Sequence, residues 1–137
     1  MGKRMIFITG GCRSGKSRYA LDYANRHFSS KLFLATCEVL DDEMARRVEW
    51  ETAEEPVEIV SKIRQYGEKV EVILLDCVTL WLSNLLMKGD PDSKVMEEVD
   101  RFVETLGQTP TSFIIVSNEV GMGIVPADPL GRRFRDL

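Results

Sequence analysis

Eight consecutive residues near the start of the chain have the types and spacing of a phosphate-binding loop. They follow the pattern G-x-x-x-x-G-K-[ST] and are Gly10, Gly11, Cys12, Arg13, Ser14, Gly15, Lys16 and Ser17. In such a loop the glycines let successive backbone N–H groups point at one phosphate, and the following helix adds its positive end. Lys16 adds a full positive charge, and the Ser17 hydroxyl offers an oxygen to Mg²⁺. The loop predicts a nucleoside triphosphate site with Lys16 in a catalytic role, but it leaves the phosphate acceptor open.

A second acidic group is expected beside the loop. Residues 70–78, VEVILLDCV, are typical of a buried central strand, and Asp76 lies near its end. Phosphate-loop proteins use an acid at the end of such a strand as a further contact to Mg²⁺. We therefore predict that Ser17 and Asp76 hold Mg²⁺ together and that Asp76 is catalytic, the alternative being an Asp that only ends the strand. Arg13 has two open interpretations, a bidentate phosphate contact or a solvated loop residue.

The elements that must position these groups alternate between strand and helix. Short apolar runs at 5–8, 31–36, 70–78 and 112–117 predict buried strands, and helical spacing occurs at 18–28, 79–87 and 94–106. Residues 49–60 predict an extended stretch, followed by a short helix at about 57–66. This alternation predicts an α/β, P-loop NTPase-like three-layer fold with a mainly parallel central sheet. We expect a single domain over residues 1–137.

A shaped loop follows the last predicted strand. Residues 118–126 contain two glycines and a proline directly after an apolar run. Open α/β sheets bind ligands beyond the carboxyl ends of their strands. Asn118, Glu119 and Met122 are therefore hypothesised to form a substrate or subunit-contact surface.

Composition excludes several classes of function. Hydrophobic residues make up 44% of the chain and charged residues 29%, and the net charge is −4 without a long basic run, which argues against a nucleic-acid partner. No apolar run approaches the roughly eighteen residues of a membrane span. The cysteines Cys12, Cys37 and Cys77 form no C-x-x-C pair and indicate reduced thiols of a cytoplasmic protein. His27, the only histidine, is expected to be structural or exposed.

Four stretches together resemble one family over nearly the whole chain. They are ITGGCRSGKSRYA, LFLATCEVLDDEMARRV, ILLDCVTLWLSNLL and VSNEVGMGIVPADPLGRRFRDL. The chain resembles the bifunctional adenosylcobinamide kinase / adenosylcobinamide-phosphate guanylyltransferase of cobalamin synthesis. The phosphate loop alone is generic, whereas its pairing with LDDEM and NEVGMGIVP is specific to this family.

The resemblance implies two activities and further site residues. A nucleoside triphosphate, ATP or GTP, phosphorylates the aminopropanol hydroxyl of adenosylcobinamide, and GTP then gives GMP to adenosylcobinamide phosphate. Residues 10–17 bind nucleotide, as do Ala35, Thr36, Cys37, Glu54 and Asp76. The resemblance also suggests a homotrimer.

Two departures from the family pattern affect these expectations. In the family a histidine in a basic stretch follows the LDDEM helix and carries GMP covalently. Here Val48 passes directly to Glu49, about eight to ten residues of the pattern have no counterpart, and no histidine stands there. Either the guanylyl step is lost or a loop of the protein is absent from this sequence, and we favour the second explanation. Residues 131–137 begin a helix that continues in the family, so we expect the full protein to be longer.

Other functions remain as alternatives. One is a P-loop kinase of a different small molecule, or a kinase that has lost guanylyl transfer. Another is a non-catalytic nucleotide-binding module; a GTP-binding switch is disfavoured because the sequence has no guanine-reading N-K-x-D motif. For the proton of the attacking hydroxyl, Asp76 and Glu119 are both candidate acceptors.

Overall fold

A computed structural model describes residues 2–10, 15–36 and 50–118. Their helices and strands are β1 (Met5–Gly10), α1 (Lys16–His27), β2 (Lys31–Ala35), β3 (Glu51–Glu54), α2 (Ile59–Tyr66), β4 (Val72–Asp76), α3 (Val78–Met87), α4 (Asp92–Gln108) and β5 (Ser112–Asn118). The extended stretch expected within residues 49–60 contains the strand β3, and the short helix after it begins at Ile59. The helix predicted at 94–106 is longer at both ends. Its N-cap is Pro91, its first residue is Asp92 and its last residue is Gln108.

The described strands form one five-stranded sheet in the order β1-β5-β4-β2-β3. Every pair of neighbouring strands is parallel, which confirms the predicted α/β fold with a parallel sheet. The strand β5 lies between β1 and β4, so the strand before the phosphate loop and the strand that ends in Asp76 are not neighbours. Their carboxyl ends nevertheless meet at one edge of the sheet.

Alternating residues of the central strands face two separate cores. On one side Leu34, Leu75 and Ile115 pack with α2, α3 and α4, and the buried residues of those helices include Ile63, Trp81 and Phe102. On the other side the core is formed by Phe33, Leu74, Val116 and the face of α1 that carries its small buried side chains. The strands β2 and β4 are buried on both faces, which is why their sequences are almost continuously apolar. The result is a three-layer arrangement with helices on both sides of the sheet.

The strand β1 lies at one edge of the described sheet. Its side chains alternate, with Ile6 and Ile8 packed on the core beneath α1 and Met5 and Phe7 exposed on the other face. Within the described residues, β5 is the strand that pairs with β1. Among the helices that the structure describes, none is long and apolar enough to cross a membrane.

Candidate functional site

The described ends of the phosphate loop lie between β1 and α1. Gly10 is the last residue of β1, and Gly15 precedes the helix with φ of 81°, a left-handed conformation that favours glycine. Lys16 and Ser17 are the first two residues of α1. The strand, turn and helix that this motif requires are therefore present around the loop.

The first turn of α1 is suited to an anion. It contains no acidic residue, and among the described residues no side chain caps it through a hydrogen bond. The first N–H groups of a helix lack partners within the helix and carry the positive end of its dipole. Lys16, which is half-buried, adds its positive charge at the same place. This end of α1 can accept phosphate oxygens from a nucleotide.

A short hydrogen bond joins Asp76 to the residue that ends the phosphate-loop motif. The Ser17 hydroxyl donates a hydrogen bond of 2.7 Å to Oδ2 of Asp76. This hydrogen bond crosses the carboxyl end of β5, because β5 lies between β1, which precedes the phosphate loop, and β4, which ends at Asp76. The structure thus brings together the two residues that the sequence predicted as a pair.

A hydroxyl and a carboxylate oxygen are ligands of the kind that Mg²⁺ prefers. Among residues 2–10, 15–36 and 50–118, no group of three or more His, Cys, Asp and Glu side chains could hold a metal ion. Nucleotide-bound Mg²⁺ commonly keeps several waters and binds substrate phosphates besides one or two protein oxygens, which Ser17 and Asp76 could supply. The donor set fits the predicted ion.

The main chain beside Asp76 is bound to Thr36, the residue that follows β2. The Cys77 N–H donates a hydrogen bond of 3.1 Å to Thr36 Oγ1. The same hydroxyl lies 3.1 Å from the carbonyl oxygen of Cys77 and 3.3 Å from that of Asp76. The peptide bond between Asp76 and Cys77 is cis. Thr36 is thus attached to the backbone that carries the Asp76 carboxylate.

Thr79, in the first turn of α3, contacts both Cys77, the residue after β4, and Asn118, the last residue of β5. Its Oγ1 accepts a hydrogen bond of 3.1 Å from the Asn118 N–H and lies 3.3 Å from Cys77 Sγ. The side-chain amide of Asn118 is 3.7 Å from the same sulfur. These contacts connect the ends of β4 and β5. Sequence reasoning missed Thr79, although a threonine two residues after the Asp76-Cys77 pair at the end of the strand could have drawn attention to it.

Ala35 and Glu54, assigned to the site by resemblance, lie at the same edge of the sheet but further from β1. Ala35 is the last residue of β2 and is paired with both Asp76 and Glu54. Glu54 ends the outer strand β3 and is exposed. Seven other predicted residues lie outside the described residues: Gly11, Cys12, Arg13, Ser14, Cys37, Glu119 and Met122.

His27 was expected to be structural or exposed, and Cys77 to be a reduced thiol. Trp81 is 1% exposed, and its ring packs against Phe102 with the centroids 5.0 Å apart, so it belongs to the core. Cys77 is a buried free thiol. His27 is exposed in the last turn of α1 and stacks on Tyr23 at 4.3 Å between ring centroids. Because α1 runs back from the phosphate loop, its twelve residues place His27 about 15 Å from Ser17 along the helix axis.

A cleft lies at the opposite, amino edge of the sheet. Its volume is about 600 Å³, and its lining includes Lys3, Phe28, Glu71 and Ser112. No residue predicted to bind nucleotide lines this cleft. Among the described residues, the predicted nucleotide-binding side chains lie at the carboxyl edge, where Ser17 and Asp76 meet.

Comparison with protein families gives one match over most of the chain. Residues 6–137 match the family described as cobinamide kinase / cobinamide phosphate guanyltransferase. The chain is also similar to three curated relatives, each called a bifunctional adenosylcobalamin biosynthesis protein. It is 40% identical to CobP of Pseudomonas aeruginosa, over 94% of this chain and 79% of the relative. It is 39% and 35% identical to the CobU proteins of Escherichia coli and Salmonella typhimurium, in each case over 97% of this chain and 84% of the relative.

The length of these matches bears on the missing segment. The match to the Pseudomonas protein extends over 138 positions but includes 94% of the 137 residues, or about 129, so about nine positions have no counterpart here. For the Escherichia coli and Salmonella typhimurium relatives the same arithmetic gives about 21 positions, so the eight to ten residues expected to be absent after Val48 remain an expectation. The position of the gap stays a prediction.

A solved structure supports the fold independently. The chain superposes on an ATPase from the type III secretion system of pathogenic bacteria with a TM-score of 0.56 and 16% sequence identity. The match covers 98% of this chain and 49% of that protein. At this level of identity the likeness establishes the P-loop fold alone.

Proposed function

Because the chain belongs to the cobinamide kinase / cobinamide phosphate guanyltransferase family, a family of transferases, we propose that its carboxyl-edge site transfers a phosphoryl group from ATP or GTP to adenosylcobinamide. The observation that carries this assignment is the 2.7 Å contact between Ser17 and Asp76. It joins the phosphate loop to an acid on a separate strand, the arrangement that nucleotide-dependent phosphoryl transfer needs. The open first turn of α1 and the charge of Lys16 provide the phosphate-binding part of the site.

The residues of this site act mainly by binding and orienting. The N–H groups at the start of α1 and the Lys16 ammonium hold the β- and γ-phosphates of the nucleotide. Ser17 and Asp76 would hold Mg²⁺, which supplies positive charge against the negative charge of the phosphate oxygens. The hydroxyl oxygen of cobinamide forms a bond to the γ-phosphorus while the bond from that phosphorus to the β–γ bridging oxygen breaks. The nucleoside diphosphate leaves with the electron pair of that bond.

The proton of the attacking hydroxyl has two candidate acceptors. Asp76 is one, although its Oδ2 already accepts the hydrogen bond from Ser17. Glu119 is the other candidate. It follows Asn118, the last residue of β5, and β5 lies between the strand before the phosphate loop and the strand that ends at Asp76. Replacing Glu119 with Gln distinguishes them: a loss of kcat that becomes smaller as pH rises assigns the proton to Glu119, because hydroxide can then replace the missing base.

The proposal includes a second step, transfer of GMP from GTP to adenosylcobinamide phosphate. The family description names both activities, and the three curated relatives are called bifunctional. A covalent route would join the α-phosphorus of GTP to a histidine nitrogen and release pyrophosphate. His27 is unsuited to this route because α1 carries it away from the phosphate loop. The histidine is therefore expected in the segment of the family that has no counterpart after Val48.

The kinase step is tested by measuring cobinamide phosphate formed from ATP or GTP. Lys16→Ala is expected to lower kcat/KM by about 100-fold or more, because a charge on the transferring phosphate is lost. Lys88→Ala is the matched control, since Lys88 is an exposed lysine whose charge pairs with Asp90 beyond the far end of α3. An undiminished rate in Lys16→Ala would overturn the assignment.

Labelled GTP separates the remaining alternatives. Retention of an α-phosphate label on the denatured protein, with release by hydroxylamine or acid, supports the covalent guanylyl route. Phosphorylation of cobinamide without a protein label supports a kinase that has lost the second step. Nucleotide binding with neither signal supports a non-catalytic module.

A further inference from the structure

We propose that Thr36 is a positioning residue, whose hydroxyl holds the main chain at Asp76 and Cys77 so that the Asp76 carboxylate faces Ser17. The proposal concerns residues of the candidate kinase site, and its activity measurements rest on the proposed function. Its binding and exchange measurements use nucleotide and Mg²⁺ alone and do not require cobinamide.

The first support is that every polar group of Thr36 already has a protein partner. Its N–H donates a hydrogen bond of 3.1 Å to the carbonyl oxygen of Asp76. Its carbonyl oxygen accepts one of 3.1 Å from the Asn84 side-chain amide. Its hydroxyl accepts from the Cys77 N–H and lies within donating distance of the Asp76 and Cys77 carbonyl oxygens. All these partners are groups of the protein itself.

The second support is burial. Thr36 is 1% exposed, so its side chain offers almost no surface to a nucleotide. The hydroxyl accordingly influences the site through the backbone that it contacts. A buried N–H group without an acceptor is unfavourable, and the Thr36 hydroxyl is the acceptor for the N–H of Cys77.

The third support is the position of this contact relative to the acid. Asp76 is the last residue of β4, so its backbone leaves the hydrogen-bonded ladder at this point. On one side Thr36 binds its carbonyl oxygen and the next N–H, and on the other side Thr79 contacts Cys77 and Asn118. The side chain of Asp76 extends from this restrained segment to Ser17. Removing the Thr36 hydroxyl takes away the acceptor for the Cys77 N–H, whereas the Thr36 N–H still donates to the Asp76 carbonyl oxygen.

The test uses three substitutions of similar size. Thr36→Val removes the hydroxyl and keeps the branched shape, and Thr36→Ser keeps the hydroxyl. Thr111→Val is the matched control, because Thr111 is also a buried threonine whose hydroxyl donates to a backbone carbonyl, that of Val70, at 3.2 Å. Thr111 lies at the amino edge of the sheet, away from the nucleotide site.

Five quantities are measured for each variant: kcat and KM for cobinamide phosphorylation, the Mg²⁺ concentration that gives half-maximal rate, the dissociation constant of a fluorescent GTP analogue with Mg²⁺ and with EDTA, and amide exchange at Cys77. We expect Thr36→Val to lower kcat by about 10- to 100-fold, the scale of a small misplacement of a reacting group. We also expect a higher Mg²⁺ requirement, faster exchange at Cys77 and unchanged nucleotide affinity in EDTA. Thr36→Ser and Thr111→Val are expected to stay within about twofold of the parent protein in kcat.

Two results would overturn the proposal. Weaker nucleotide binding by Thr36→Val in EDTA would show a direct contact between Thr36 and the nucleotide. Equal losses of stability in Thr36→Val and Thr111→Val, with kcat and Mg²⁺ response unchanged, would show a purely structural role. If the parent protein itself fails to phosphorylate cobinamide, the proposed function fails, while the Mg²⁺ dependence of nucleotide binding still decides the role of Thr36.

Discussion

The hydroxyl of Ser17 and the Oδ2 atom of Asp76 are 2.7 Å apart, although 59 positions separate the two residues in sequence. One residue follows the phosphate loop and the other ends a strand that is not adjacent to β1. The contact exists because parallel strands bring their carboxyl ends to one edge of the sheet.

Ser17→Ala and Asp76→Asn should each lower kcat/KM for cobinamide phosphorylation by about 100-fold, because each removes an oxygen expected to bind Mg²⁺. The double variant should lose much less than the product of the two effects, since the two groups act on one ion. A double-mutant cycle on purified protein measures this coupling. Ser17→Thr, which keeps the hydroxyl, is the control, and fully additive losses would refute a shared role.

Removal of Mg²⁺ by EDTA should stop phosphoryl transfer but leave nucleotide binding detectable, because the N–H groups of α1 and Lys16 do not depend on the ion. Mg²⁺ should then raise nucleotide affinity in the parent protein and much less in Asp76→Asn. A fluorescent nucleotide titration checks both statements. Asp22→Asn, an exposed acid on α1, serves as the control; an equal Mg²⁺ effect in Asp76→Asn would contradict the assigned metal role.

Asn118→Ala should raise the KM for the corrinoid by about fivefold or more and leave nucleotide affinity unchanged, because Asn118 begins the loop assigned to substrate or subunit contact. Steady-state kinetics and a measurement of oligomeric state on the same variant address both possibilities. Ser117→Ala, one residue earlier in β5, provides the comparison. If corrinoid KM and oligomeric state are both unchanged, the assignment of this loop is wrong.

Two glycines should respond in opposite ways to substitution by Ala. At Gly67 a Cβ atom would lie 2.5 Å from Cγ2 of Thr109 and 2.7 Å from the carbonyl oxygen of Ile63, so Gly67→Ala should destabilise the fold by about 1–3 kcal/mol. At Gly107, within α4, nothing lies within 4 Å of the added atom, and Gly107→Ala should stabilise it by about 0.5–1 kcal/mol. Urea unfolding monitored by tryptophan fluorescence measures both changes. An undiminished stability of Gly67→Ala would show that the close contacts at Gly67 are unimportant, and a loss of stability in Gly107→Ala would contradict the second expectation.

The local parts of the site were predictable from sequence because their signals are local. The loop pattern lies within eight residues, and Asp76 follows an apolar run that is recognisable as a strand. The parallel sheet followed from the alternation of such runs with helices. These features depend on spacing and periodicity, which a single sequence contains.

The order of the strands was not predictable in the same way. Nothing in residues 112–118 shows that β5 lies between β1 and β4, because strand order depends on how distant segments pack. For the same reason the sequence did not predict the hydrogen bonds between Thr36 and Cys77 and between Thr79 and Asn118. These bonds join residues 41 and 39 positions apart. Glu54 was assigned by resemblance alone, and its place at the end of an outer strand required the structure.

The place of β5 between β1 and β4 also has a consequence for biosynthesis. Among the described strands β1 pairs only with β5, and β5 is the last of them to leave the ribosome. A nascent chain that stops before Ser112 contains the glycine-rich turn and the Asp76 strand but has no strand to lie between them. We therefore expect nucleotide to assist folding only after the final described strand has been synthesised and inserted.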